Sequence, residues 1–219
     1  MPAPPDTGGV TAPLRQPPAL HDRALQDLSF IRRTMEGAAS FTDVPGWGLV
    51  ATGVTAVGAA FLAAGQATAG GWLGVWMLEA LLAATIGGAA MWRKMRRRAS
   101  AGPGPVFTVP ARKFLLGFWP AILAGAVLTF ALTDLSALAG PASATAGILP
   151  GLWLLLYGVG VLTAGAFSVR TVPLMGIAFM ALGALTLLVD GIPGDLALGV
   201  GFGGLEIAFG VVIARRHGG

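Results

Sequence analysis

Along most of this chain the hydrophobic positions neither alternate with polar ones nor form a narrow stripe; they run in long, nearly unbroken blocks. Six such blocks lie near 47–65, 72–92, 114–133, 148–167, 172–189 and 196–214. Each is long enough to cross a hydrocarbon core of about 30 Å at a helical rise of about 1.5 Å per residue. Trp47, Trp72, Trp92 and Trp119 fall near block ends, the pattern of an interfacial aromatic belt. Pro45, Pro150 and Pro173 stand at or just before block starts, where a missing N–H is tolerated. Pro120 lies inside the third block and predicts a kink or a late start.

The N-terminal pattern is different. Residues 1–19 are rich in Pro, Gly and Thr, carry no apolar period and are predicted to be disordered. No basic start followed by an apolar stretch marks a secretory signal there. Over 20–41, Leu25, Leu28, Ile31 and Met35 recur at helical spacing beside Arg23, Arg32 and Arg33. That pattern fits an amphipathic helix on the membrane surface, or equally a cap on the cytoplasmic face of the bundle.

Composition agrees with the blocks. Hydrophobic residues make up 55% and charged residues 11% of the chain, and the mean hydropathy is +0.76. A soluble domain needs far more charge to cover its surface. The 34 glycines suit helices that pack backbone against backbone. With no cysteine, disulfides, thiol chemistry and Cys-ligated metals are excluded. The predicted fold class is all-α: a polytopic membrane protein, with a six-helix transmembrane domain over 44–216.

Charge placement predicts orientation. With the N-terminus inside, all 14 Lys and Arg fall on the cytoplasmic side, and the outer loops hold Asp134, Asp190 and Asp195. This complete split follows the positive-inside bias. The spans then form three in–out–in hairpins, roughly 44–98, 112–170 and 171–216, with both termini cytoplasmic. The basic isoelectric point therefore reflects membrane topology, and no nucleic-acid partner is expected.

The only histidines, His21 and His217, lie outside the spans. An intramembrane serine protease, bis-histidine haem and a zinc site within the bilayer all need a histidine there. A P-loop is absent as well. The expectation is no enzyme, no cofactor and no metal site.

Two residues break the apolar pattern. Glu79, in "GVWMLEALLAATIGG", lies about 10 Å below the outer interface at helical rise, and Glu206, in "GFGGLEIAFGVVIARR", about 15 Å down. A carboxylate in hydrocarbon costs several kcal/mol unless it protonates, pairs or faces water. If the second and sixth helices adjoin, the two carboxylates meet and share a proton or a cation. Tyr157 is the natural hydroxyl partner, with Thr52, Thr55, Thr85 and Thr163 behind it. One reading is a proton or cation site in a small transporter or channel. The other is a pair of neutral, hydrogen-bonded side chains holding helices together.

Gly199 and Gly203 form a GxxxG extended by Gly210 and Ala214, and Gly158, Gly160 and Gly165 lighten the fourth helix. Packing within the bundle is the expected use, with self-association as the alternative. Arg93, Lys94, Arg96, Arg97 and Arg98 form a cluster beside the membrane that either contacts anionic lipid headgroups or simply fixes topology.

Four blocks, "LSFIRRTMEGAASFTDVPGWG", "LPGLWLLLYGVGVLTAGAFSVR", "VPLMGIAFMALGAL" and "GFGGLEIAFGVVIARRHGG", together resemble a family of uncharacterised six-span bacterial inner-membrane proteins. The resemblance covers residues 25–219. It implies a bacterial inner membrane and a regulated gene, since some members are encoded beside small winged-helix regulators, and it supplies no reaction. Within the matching blocks, Arg32, Arg33, Ser40, Thr42 and Arg170 face the cytoplasm as a docking surface, or serve as a helix cap (Thr42 or Asp43) and topology anchors. The functional expectation is an accessory, sensory or assembly component of a membrane complex, with a protein partner or a second copy of itself. The alternative is a proton- or cation-linked transporter or channel using Glu79 and Glu206.

Overall fold

The computed structural model describes residues 25, 27–31, 41, 43–101, 105–133, 140, 147–166 and 168–217. They belong to two units, Met1–Ala38 and Ala39–Gly219. In the first, residues 27–31 are helical, and Leu25, Leu28 and Ile31 of the predicted apolar face are exposed. Residues 1–19 and Met35 lie outside the described residues.

The second unit is built of helices: α1 Gly46–Ala64, α2 Ala69–Ser100, α3 Val109–Leu132, α4 Leu149–Gly165 and α5 Thr171–Leu188. The last, α6, comes in three consecutive pieces: Gly194–Leu198, a π-helical stretch Gly199–Leu205, and Glu206–His217. Among the described residues there is no strand, only one isolated bridge between Phe41 and Ser168. By length and composition α1, α2, α3, α5 and α6 suit a membrane crossing, and α4 is equally apolar with 17 residues.

Local chemistry explains where the helices start, and corrects several sequence boundaries. Thr68 caps α2 by accepting a hydrogen bond from the Gly71 N–H at 3.2 Å. Thr108 caps α3, accepting from the Ala111 N–H, with Pro110 in the first turn. Because α3 begins at Val109, Pro120 lies well inside it and does not mark a late start. The helix α2 continues to Ser100, past the end of the apolar block, so the basic cluster lies on the helix. Asp43 caps nothing: Pro45 holds the N-cap position of α1, without a side-chain cap bond.

Glycines set the packing. On α4, Gly151, Gly158 and Gly165 recur every seven residues; on α5, Gly176 and Gly183 do the same. A Cβ added at Gly158 would sit 2.7 Å from the Gly176 carbonyl, and one at Gly151 3.1 Å from that of Gly183. The second pair of helices repeats the device: Cβ atoms at Gly53 and Gly210 would lie 2.9 and 2.8 Å from the carbonyls of Gly203 and Gly46. Both pairs run antiparallel in near backbone contact, as small residues at membrane-helix interfaces allow. Gly199, Gly203, Gly210 and Ala214 all turn towards α1, so the predicted small-residue face is spent inside the chain.

By contrast α2 buries a single stripe over most of its length: Ala69, Trp72, Trp76 and Glu79, with Met95 near its end. Its other faces expose Met77, Leu78, Leu81 and Leu82, as a lipid-facing helix does.

At the end of the bundle where α1 begins, Phe41 is buried against Phe114 with ring centroids 4.8 Å apart. Ser168 donates its hydroxyl to the Phe41 carbonyl at 2.7 Å. Arg98 pairs with the buried Asp43 at 3.1 Å, and Lys94 donates to the Val44 carbonyl at 3.1 Å. The segment entering α1 is thereby tied to the α4–α5 turn and to the end of α2.

These close approaches make a direct prediction. Gly158→Val should destabilise the fold by about 2 kcal/mol or more, because the added Cβ meets the backbone at the Gly176 carbonyl and the Met180 nitrogen as well as Met180 Cγ. Gly74→Val, where no atom lies within 4 Å of the added Cβ, should leave stability nearly unchanged. Thermal unfolding of both variants in detergent, followed by helical circular dichroism, makes the comparison.

Candidate functional site

The π-helical stretch of α6, "GVGFGGL", contains four glycines and ends immediately before Glu206. Glycine gives little resistance to the wider turn, and such π segments recur beside functional residues. Glu206 emerges into the interior, 5% exposed. Thr52 of α1 donates to its Oε2 at 2.6 Å, and Tyr157 of α4 donates to its Oε1 at 2.8 Å. One carboxylate therefore joins three helices.

Tyr157 is itself held by aromatic rings. Phe118, Phe179 and Phe202 surround it at centroid distances of 5.7, 4.8 and 5.0 Å. Edge-to-face and tilted contacts of this kind fix the ring and aim its hydroxyl. Tyr157, the hydroxyl named from the sequence, stands at Glu206.

Glu79 is 7% exposed, and Thr55 of α1 donates to its Oε1 at 2.8 Å. The two carboxylates reach α1 at Thr52 and Thr55, neighbours three residues apart on that helix. Among the described residues no lysine, arginine or histidine pairs with either, and no group of three metal-binding side chains forms.

The threonines have a feature absent from the tyrosine. Thr52 Oγ1 lies 2.6 Å from Glu206, 2.9 Å from the Leu49 carbonyl and 3.2 Å from that of Gly48. Thr55 Oγ1 lies 2.8 Å from both Glu79 and the Thr52 carbonyl. A hydroxyl has one proton to donate and lone pairs to accept. Beside an ionised glutamate it donates to the carboxylate. Beside a protonated one it accepts from the carboxyl and donates back to its own helix. Both protonation states are hydrogen-bonded without moving a helix.

The remaining threonine candidates go elsewhere. Thr85 bonds the Leu82 carbonyl, and Thr163 bonds carbonyls of its own helix and that of Gly117. Of the expected docking surface, Arg32, Arg33, Ser40 and Thr42 lie outside the described residues, and Arg170 is exposed at the start of α5. The basic cluster divides: Lys94 and Arg98 hold the segment before α1, whereas Arg93, Arg96 and Arg97 are exposed.

One constellation escaped the sequence reading. Asp195, taken as an outer-loop charge, accepts hydrogen bonds from the indoles of Trp72 at 2.7 Å and Trp76 at 3.2 Å. Trp72 also stacks on Trp153, whose indole donates to Thr129 at 2.7 Å. Trp72 is 1% exposed, so it is a core residue and not the interfacial anchor expected from its position. Trp47, Trp92 and Trp119 are exposed as expected. The four-residue spacing of Trp72 and Trp76, which puts both on one helix face, was the available signal.

Removing Glu206 should strand its partners unequally. Thr52 falls back on helix carbonyls, but the Tyr157 hydroxyl has Glu206 as its acceptor among the described residues. Glu206→Leu should cost about 1–3 kcal/mol of stability through the orphaned phenol, and adding Tyr157→Phe should recover part of it. Glu206→Gln, which still accepts from Tyr157, should cost less. A double-mutant cycle on unfolding in mixed micelles measures the coupling.

Compared with protein-family models, curated proteins and solved structures, the chain finds no match, so its function rests on this site and on the surfaces around it.

Proposed function

We propose that this chain is a non-enzymatic protein of the bacterial inner membrane, crossing it six times with both termini in the cytoplasm, and that it serves as an accessory, sensory or assembly component of a membrane complex. Six crossings are supported by α4, whose 17 residues reach about 25 Å, the short end of the range for a span. The orientation is supported by charge. Arg93 to Arg98, Arg112, Lys113, Arg170, Arg215 and Arg216 belong to the ends of α2, α4 and α6 and the starts of α3 and α5, while Asp190 lies just after α5 and Asp195 in the first turn of α6. The resemblance of residues 25–219 to six-span bacterial proteins supports the compartment.

The observation that carries the functional reading is how the interior polar groups are used. Glu206 is engaged by Thr52 and Tyr157, Glu79 by Thr55, Asp195 by two tryptophans and Asp43 by Arg98. Each contact joins one chain element to another. A molecule built this way acts through the positions of its helices and the surfaces they present.

A second reading is favoured by the threonines between the two glutamates. Hydroxyls that are hydrogen-bonded in both protonation states are what a proton-linked transporter or channel needs beside Glu79 and Glu206.

The two readings give different results. Native mass spectrometry of the chain extracted from its own membrane should show a stoichiometric second polypeptide; a lone chain or a homo-oligomer counts against the accessory role. In liposomes with an imposed pH gradient, the second reading requires proton flux that falls in correctly folded Glu79→Gln and Glu206→Gln. Absence of flux in the unaltered chain removes it.

A further inference from the structure

Five cationic side chains follow one another at the end of α2, and they do two different jobs. Lys94 and Arg98, four residues apart, share one face. Lys94 donates to the Val44 carbonyl, and Arg98 pairs with Asp43 and donates to the Val106 carbonyl at 3.2 Å. That face holds the chain together.

Arg93, Arg96, Arg97 and Ser100 follow the i, i+3, i+4, i+7 spacing of a second face. With Ala101 they line a shallow, open recess. The Arg96 guanidinium lies 5.6 Å over the ring of Trp92, which is itself exposed. An exposed tryptophan at the end of an apolar span marks headgroup depth. In the direction of the bilayer the same face continues through Ala89 to Leu82 and Leu78, all exposed. A cationic recess therefore stands at headgroup level above an apolar strip one helix wide.

We propose that this face of α2 binds an anionic phospholipid, with the headgroup phosphate held by Arg93, Arg96 and Arg97 and an acyl chain lying along Leu82 and Leu78. Guanidinium groups present paired N–H donors that match phosphate oxygens. The apolar strip below distinguishes a lipid from free phosphate, which has nothing to place there. The site deepens the membrane reading and rests on it, but it is independent of any protein partner and of proton movement. It also divides the cluster anticipated from sequence, assigning lipid contact to three of its five cations.

The test uses the full chain in a zwitterion-free detergent, titrated with phosphatidylglycerol, with phosphatidylcholine and with inorganic phosphate, and read by native mass spectrometry. Phosphatidylglycerol should bind in preference to phosphatidylcholine. The triple variant Arg93→Gln, Arg96→Gln, Arg97→Gln should weaken that binding roughly tenfold or more, since each charge near an anionic surface contributes independently. Lys94→Gln should retain it, keeping the recess intact; Leu82→Asn should weaken it while leaving every charge in place. Equal binding of the two lipids, or undiminished binding by the triple variant, overturns the proposal. Displacement of phosphatidylglycerol by inorganic phosphate at similar concentration assigns the recess to a free anion and also overturns it.

Discussion

Two helix pairs approach until their backbones nearly touch, and the rest of the structure depends on that approach. In a bilayer the lipid tails are as apolar as leucine, so hydrophobic burial gives helices little reason to associate. Close contact and internal hydrogen bonds must supply it. The seven-residue glycine spacing on α4 and α5, and the matching Gly46, Gly53, Gly203 and Gly210 on α1 and α6, let each helix press against the backbone or side chains of its partner, with carbonyls 2.7 to 2.9 Å from where a Cβ of Gly158, Gly53 or Gly210 would stand. A seven-residue repeat keeps one narrow seam facing its partner along the helix. With a larger residue at Gly53 or Gly203, Thr52 would be held away from Glu206, and the junction of three helices would be strained.

That junction shows what a buried carboxylate requires when no cation is near. Glu206 is satisfied by two hydroxyls of different character. The threonine can turn its proton to its own helix, and the tyrosine, boxed by three phenylalanine rings, cannot. One side of the carboxylate tolerates a change of protonation and the other stays fixed. Glu79 has only the tolerant kind of partner, on a helix that buries one stripe and exposes the rest. The two glutamates look alike in sequence and differ in how strongly they bind the bundle together. Glu206 joins three helices, while Glu79 fastens one outer helix to its neighbour.

Much of this was legible in the sequence, and the misses have physical causes. Long apolar blocks located the helices, because a polar backbone in lipid has few alternatives to helix. Glu79, Glu206 and Tyr157 stood out as polar residues in apolar surroundings, and the structure brings Tyr157 to Glu206. Which helices adjoin was not legible, since apolar periodicity hardly distinguishes a lipid-facing side from a packed one. Trp72 was misread for the same reason: its position in the span fits a membrane interface, and only the partner Asp195 reveals that it is buried. The π-helical turn before Glu206 left a compositional trace, its four glycines, which also serves close packing and so did not identify itself.

The end of α2 extends the same logic from the interior to the surface. A charge run read along the sequence is one feature, but on a helix it becomes two faces with separate fates. Lys94 and Arg98 are committed to Val44, Asp43 and Val106, and so fasten the segment that leads into α1. Asp43 is buried and acidic, and an unpaired charge there would be expensive, which fixes Arg98 in place. Arg93, Arg96 and Arg97 have no such duty among the described contacts and face outward over Trp92 and the apolar strip. The two faces belong to one helix, so the same turns that fasten the entry to α1 also present cations outward.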